Sequence, residues 1–411
     1  MADKLDVTSN GVGVTIADGK IAATDANIAV SFVVEKIEGG YTIRSKSGLY
    51  FGSESDANSL LSNATKTYFN NFAIDADGNT VVTGEGGAIL RYNATSGQDR
   101  FRFYKTGSYT AQKPIALYKL DITNISGASV TVGADIAVNY YVDITNVEGI
   151  QDGQLAMRFT VDGDETPTNV ELNKSNTIVK DSKTYYVFTF AGLAPQRMTD
   201  NIKAEILLNG LVIEVFGEYS VQQNAANLLA ENPSDELKQF ITDMLYYGVA
   251  AQNYTKYNLD KLANQGDIAT LLGATLEVER PESGAELTDR PDETSPYFKG
   301  ATVWFDSTNK IIVKLAGVTE NTKLYYYDNL VEINYDVATD TYSFTTDEIQ
   351  ATRFAEIFTF EIYENDEFVQ SLNYSINAYA YSKWENSSMS ALAQALYRYG
   401  KSAEAYANSL K

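Results

Sequence analysis

The sequence predicts a mainly β protein, in which a small all-β N-terminal domain precedes two copies of a β-sandwich module that ends in a C-terminal helix. Three observations carry this expectation. Apolar and polar residues alternate at period two in many short runs, separated by Gly, Asn and Asp clusters, which is the pattern of half-buried strands joined by turns. The spacing changes to a helical one before residue 257 and again at the C-terminus. The motifs ahead of these two helical stretches recur in the same order.

Residues 1–120 form the first segment. Tyr41-Thr42-Ile43-Arg44, Gly48-Leu49-Tyr50-Phe51-Gly52, Ala88-Ile89-Leu90-Arg91-Tyr92 and Phe101-Arg102-Phe103-Tyr104 read as strands, and no helix is expected. The stretch from Tyr41 to Gly52 places aromatics around a Ser-Gly turn and resembles the repeating strand pair of β-trefoil lectin-like domains. Tyr50, Tyr92 and Tyr104 are then barrel filling. Asp75-Ala76-Asp77-Gly78-Asn79 lacks the full spacing and the terminal Glu of an EF-hand loop. It reads as a hairpin turn between Phe72-Ala73-Ile74 and Thr80-Val81-Val82.

Residues 121–265 form the first sandwich copy. Its strands are expected at Ala137–Val142, Leu155–Phe159, Thr184–Phe190 and within Ile202–Phe216. From Val221 to Tyr257 the spacing is helical. Ser234 is placed as an N-cap with Asp235 and Glu236 in the first turn. Leu237, Ile241, Met244, Gly248 and Ala251 share one face. Residues 266–296 are acidic and contain prolines at 281, 291 and 296, the composition of a solvated linker. Residues 297–411 form the second copy.

The case for duplication rests on matched motifs. Tyr186-Val187-Phe188-Thr189 recurs as Tyr342-Ser343-Phe344-Thr345, Arg197-Met198 as Arg353-Phe354, and Tyr219-Ser220-Val221 as Tyr374-Ser375-Ile376. Leu237, Ile241, Met244, Gly248, Ala251 and Tyr254 recur as Met389, Ala393, Leu396, Gly400, Ala403 and Tyr406. Glycine inside a helix costs about 1 kcal/mol relative to alanine. Gly248 and Gly400 at one register therefore predict a helix-to-sheet approach too close for a Cβ.

Composition narrows the function. The chain has 54 acidic and 32 basic residues, for a net charge of −22. This disfavours nucleic acid, which is held by clustered Lys and Arg, and anionic membrane surfaces; a neutral polysaccharide is indifferent to it. With no His and no Cys, Ser-His-Asp and Cys-His catalysis and zinc-thiolate sites are excluded. No Walker A or dinucleotide motif is present. The expectation is a protein that is not an enzyme and uses no metal or cofactor. No apolar run reaches the roughly 18–20 residues of a membrane-spanning helix, so no membrane insertion is expected. Met1-Ala2-Asp3-Lys4 runs into polar sequence rather than a signal peptide. The reading is of a mature extracellular or cell-surface protein whose signal peptide is not in this sequence.

Tyrosine is abundant, at 29 against 18 Phe and 2 Trp. An aromatic face with a polar tip suits a wet binding surface, and sugar rings lay their C–H faces on such rings. Both tryptophans, Trp304 and Trp384, fall in the second copy. Trp304 lies in a strand between Val303 and Phe305, where a core role competes with a platform role. Trp384 follows Tyr381 and Lys383 in a polar approach to the last helix. Tyr325-Tyr326-Tyr327 precedes Asp328 and Asn329; in a strand Tyr325 and Tyr327 face one side and Tyr326 the other. Trp304, Tyr325, Tyr326, Tyr327, Asn329, Tyr381, Lys383 and Trp384 are the candidate carbohydrate-binding residues. Tyr140-Tyr141 and Tyr185-Tyr186 are weaker candidates in the first copy.

The segments Gly87–Asn93, Arg100–Lys105 and Met244–Gln252 resemble modules of non-catalytic surface proteins of gut Firmicutes, of the ruminococcal cellulosome and amylosome type. The nearest functional analogy is to starch-adherence proteins. The resemblance implies a polysaccharide partner, α-glucan by that analogy, and membership of a larger cell-surface assembly. No dockerin-like calcium repeat is present in this sequence. Two further readings stand beside it: a structural or adhesive spacer that binds a protein partner, and a secreted hydrolase that works with carboxylates.

Overall fold

The computed structural model describes residues 6–17, 20–21, 25–45, 47–107, 109–118, 124–132, 135–143, 153–208, 210–281, 296–305, 307–385 and 388–411. The chain is mainly β, built from several antiparallel sheets, and closes on a C-terminal helix.

In the first segment the expected strands form: Gly40–Ser45, Tyr50–Gly52, Ile89–Asn93 and Arg100–Tyr104. Together with their neighbours they make one sheet, of nine strands among the described residues. A bridge between Ser59 and Phe103 ties one end of the strand order to the other. Ile43, Phe51, Val82, Leu90 and Phe103 fill the interior. Of the expected filling tyrosines, Tyr104 is buried, while Tyr50 and Tyr92 are half-buried. The turn at Asp75 closes a hairpin between Asn70–Ile74 and Thr80–Gly84. The Asp75 carboxylate accepts from the Asp77 and Asn79 amides at 3.0 and 2.8 Å, so it serves the turn. A short helix, α1 (Asp25–Ala29), was not expected. It buries one apolar residue, Ile28, against the next domain, too little to leave a period in the sequence.

In the first copy the described strands form two four-stranded sheets. One runs Asn124–Val132, Ile136–Asp143, Lys183–Leu193, Thr177–Lys180; the other Thr168–Glu171, Leu155–Val161, Ile202–Leu208, Leu211–Tyr219. Tyr140 of the first sheet meets Phe159 and Phe216 of the second at 5.4 and 5.3 Å, so the sheets face each other across an aromatic layer. In the second copy the described strands again form two four-stranded sheets, in corresponding order. One runs Phe298–Phe305, Asn309–Leu315, Thr341–Thr345, Asn334–Asp336; the other Asn329–Val331, Thr322–Tyr326, Phe358–Glu364, Glu367–Tyr374. Each copy continues into two helices, α2 (Val221–Ala230) and α3 (Asp235–Thr255) in the first, α4 (Ile376–Lys383) and α5 (Ser390–Ser409) in the second. Ser234 caps α3 as expected, accepting from Leu237 N at 3.2 Å. Ser220 and Ser375 cap α2 and α4 in the same way.

The two helix glycines meet the same element in each copy, a 3-10 turn rather than a strand. A Cβ on Gly248 would lie 2.8 Å from Met198 Sδ and 3.1 Å from Pro195 O; one on Gly400 would lie 2.6 Å from Phe354 Cδ2. Met198 and Phe354 end the matched turns Pro195–Arg197 and Ala351–Arg353.

Helices α3 and α5 also pack on each other. Tyr247 and Tyr399, which occupy matched positions, stack at 5.4 Å and 10°. Phe240 stacks on Tyr399 and Tyr406 at 5.9 and 5.6 Å. One hydrophobic cluster consequently runs through both copies. The start of the expected linker is held to these helices. Leu276 N donates to Asp243 Oδ1 at 3.0 Å, Gln239 Nε2 to Ala274 O at 3.0 Å, and Pro281 is buried. Residues 282–295 of that linker lie outside the described residues.

Candidate functional site

The second copy presents its candidate residues in three separate places. Trp304 stands on the outer face of its sheet, 53% exposed, between buried Val303 and half-buried Phe305. Phe305 turns inward onto Tyr379 of α4 at 5.0 Å. Lys310 lies directly across from Trp304, and Thr302 faces Ile312. The tryptophan is therefore a solvent-facing ring with a cation beside it, and the core alternative does not apply.

Trp384, Tyr381 and Lys383 lie at the end of α4. Trp384 is half-buried and meets Tyr397 of α5 edge-on at 5.7 Å. Its carbonyl accepts from Gln394 Nε2 at 3.0 Å. The Tyr381 ring lies under the Arg280 guanidinium at 3.8 Å, and Arg280 donates to the Tyr381 carbonyl at 3.0 Å. Lys383 Nζ sits 5.9 Å from the Tyr379 ring centre. These side chains join α4, α5 and the segment around Arg280, so much of their aromatic surface is spent on packing.

The tyrosine triplet divides in a different way from the expected alternation. Tyr325 takes the outer face, meeting Tyr363 at 5.1 Å. Tyr326 turns inward onto Phe344 and Phe360 at 5.5 and 5.3 Å, and burial pushes its hydroxyl up to about 12. Tyr327 does not return to the side of Tyr325, because the strand ends at Tyr326. Tyr327 and Asp328 have φ of 48° and 60° and form the two-residue turn that Tyr326 and Asn329 close. The Tyr327 ring leans on Tyr326 and Phe358 at 4.9 and 5.9 Å. Burial, then Glu356, raises its hydroxyl above the ordinary tyrosine value. Asn329 is exposed and donates to the Tyr327 carbonyl at 2.9 Å.

Four residues outside the expected set complete the outer face around Tyr325. Glu361 lies directly across from Tyr325, and Tyr363 across from Lys323 and Phe368. Phe368 is 55% exposed and meets Tyr363 at 5.7 Å. Leu330, opposite Tyr325 on its other side, is 60% exposed. Burial and the Glu361 carboxylate raise the Tyr363 hydroxyl above its ordinary value. The signal was present in the sequence: Thr359, Glu361 and Tyr363 alternate with buried Phe358, Phe360 and Ile362.

The first copy is built differently at the matched places. Arg158 pairs across the strands with Glu205 as Tyr325 does with Glu361. Arg158 and Lys203 both reach the Glu205 carboxylate, at 2.7 and 2.8 Å. Burial works to raise that carboxyl, but these bonds hold it below the usual range. Thr131, opposite Ala137, stands where Trp304 faces Lys310. Tyr140 is fully buried, and the Tyr141 hydroxyl is bonded to Ser129 at 2.6 Å.

Among the described residues no group of three or more acidic side chains is placed to hold a metal ion, and no helix is long and apolar enough to cross a membrane. No protein-family model matches the chain, and no curated protein matches it.

Proposed function

We propose that this chain is a non-catalytic, extracellular carbohydrate-binding protein, with polysaccharide of the starch type as its ligand. In this reading a trefoil-like N-terminal domain is followed by two copies of one β-sandwich module that arose by duplication, and the second copy carries the binding surface. The observation that supports it is the contrast between matched outer faces. The second copy presents exposed Trp304 and, separately, exposed Phe368 beside half-buried Tyr325 and Tyr363, where the first has Thr131 and an Arg158–Glu205–Lys203 ion cluster. Exposed rings beside polar side chains are what a sugar face and its hydroxyls require. They are also a cost to a surface with no ligand, because apolar area left in water is unfavourable.

Native gel electrophoresis through soluble polysaccharides tests this. The chain should be retarded by at least one neutral glycan and release no reducing sugar from it. Unchanged mobility in every glycan would reject the proposal, and sugar release would reject its non-catalytic part.

A further inference from the structure

Resting on that reading, we infer that the glycan site is the outer face built by Tyr325, Tyr363 and Phe368 with Glu361. We further infer that it takes a glycan whose successive sugar faces turn, an α-1,4-linked glucan, rather than a flat β-1,4-linked ribbon.

The position follows from comparing the two copies. Glu205 and Glu361 occupy one place in matched sheets, each across from the residue on the neighbouring strand. In the first copy two cations engage that carboxylate and Leu207 beyond it is buried. In the second copy the arginine's place holds Tyr325, the lysine's place holds Thr359, and Leu207 becomes Tyr363. The same irregularity in strand pairing follows Ile206 and Ile362, so the scaffold is kept while its surface changes. Loss of both cations leaves the Glu361 carboxylate beside the Tyr363 hydroxyl, between Tyr325 and Ser371 on the neighbouring strands. A carboxylate there is an acceptor for the hydroxyls of a neutral ligand; an anion would be repelled by it. The face also adjoins a groove of about 530 Å3 that shares Lys323 and Leu330 with it and adds Thr319 and Glu332.

The shape of the ligand follows from the rings. Tyr325 and Tyr363 are inclined by 65°, and Tyr363 and Phe368 by 76°. At most one ring of each pair can lie parallel to the sheet, so the three make corners and not a plane. A flat ribbon stacks on coplanar rings and would meet one of these rings on edge. A chain that curls as it runs can put one sugar on a ring and turn the next toward its neighbour.

The test uses the full chain in native gels containing amylopectin or hydroxyethyl cellulose. Amylopectin should retard the wild type at least tenfold more strongly, by apparent dissociation constant, than hydroxyethyl cellulose. Tyr325→Ala/Tyr363→Ala should weaken the amylopectin interaction at least tenfold. Tyr325→Arg restores the first copy's arrangement opposite Glu361. It should fold, as judged by an unchanged thermal transition, and lose binding to the same extent. Wild-type binding that survives both Tyr325 variants overturns the site while leaving the proposed function standing. Stronger retardation by hydroxyethyl cellulose overturns the ligand shape. No retardation of the wild type by any glycan overturns the functional reading and this inference with it.

Discussion

Gly400 shows how a single missing carbon can hold an element in place. Alanine is the better helix former by about 1 kcal/mol, so Gly400→Ala would stabilise an isolated helix. In the folded chain its Cβ would lie 2.6 Å from Phe354 Cδ2 and 3.1 Å from Phe354 Cβ. The phenylalanine is 2% exposed and has little room to move. Overpacking a well-packed core typically costs 1–3 kcal/mol, so the variant should lose about 1–2 kcal/mol in urea unfolding. Phe354→Leu in the same chain should return part of it. Gly248→Ala should behave alike, because the Pro195 carbonyl at 3.1 Å is backbone. A neutral or stabilising Gly400→Ala would show that contact with the turn is not what keeps the glycine. The requirement was legible in sequence because the same residue recurs at one helix register. Its partner was not, since a sequence names the crowded residue and not what crowds it. The same limit applies to Trp304: apolar neighbours on both sides in sequence leave its face open until the sheet is paired.

At the scale of elements, α3 does more than an amphipathic helix with one face. The stripe Ile241, Met244, Gly248, Ala251 was legible from spacing and is buried. Phe240, Tyr247 and Asp243 form a second contact, against α5 and the segment after residue 271, and their partners lie too far along the chain for periodicity to reveal. Asp243 is 1% exposed. Burial raises its carboxyl above the ordinary value; the Leu276 amide, Gln239, Ser402 and the charge of Arg398 work the other way. A carboxyl that binds its proton more tightly folded than unfolded makes stability fall as pH rises, from the unfolded value of 3.8 up through the raised folded one. The penalty is fully present above that folded value and disappears below 3.8. Asp243→Asn removes it while keeping an acceptor for Leu276 N. The stability of the Asn variant minus that of the wild type should therefore be most favourable at neutral pH and decline as pH falls toward 4. Urea midpoints at several pH values check this, and a difference that grows with acidification contradicts it.

For the whole molecule, the distribution of buried apolar residues sets how it comes apart. The motif order suggested two units joined by a linker. The apolar cluster instead passes from one copy to the other through Tyr247, Tyr399, Phe240 and Tyr406, and the segment from Gly273 to Pro281 lies along α3 and α4. Ile43, Phe51, Val82, Leu90 and Phe103 of the N-terminal domain form a cluster of their own. Elements that share a core lose it together, whereas domains with separate cores can unfold apart. Scanning calorimetry should then show two transitions, a smaller one for the N-terminal domain and a larger one for both copies. Gly400→Ala, although it lies in the second copy, should lower the larger transition as one unit and leave the smaller one in place. If Gly400→Ala splits the larger transition in two, the copies are thermodynamically separate and the α3–α5 contact is only an adjacency. If it remains single, the first copy braces the second through α3 and α5, and a change at Tyr247 should weaken the fold that supports Tyr325 and Glu361 without touching either.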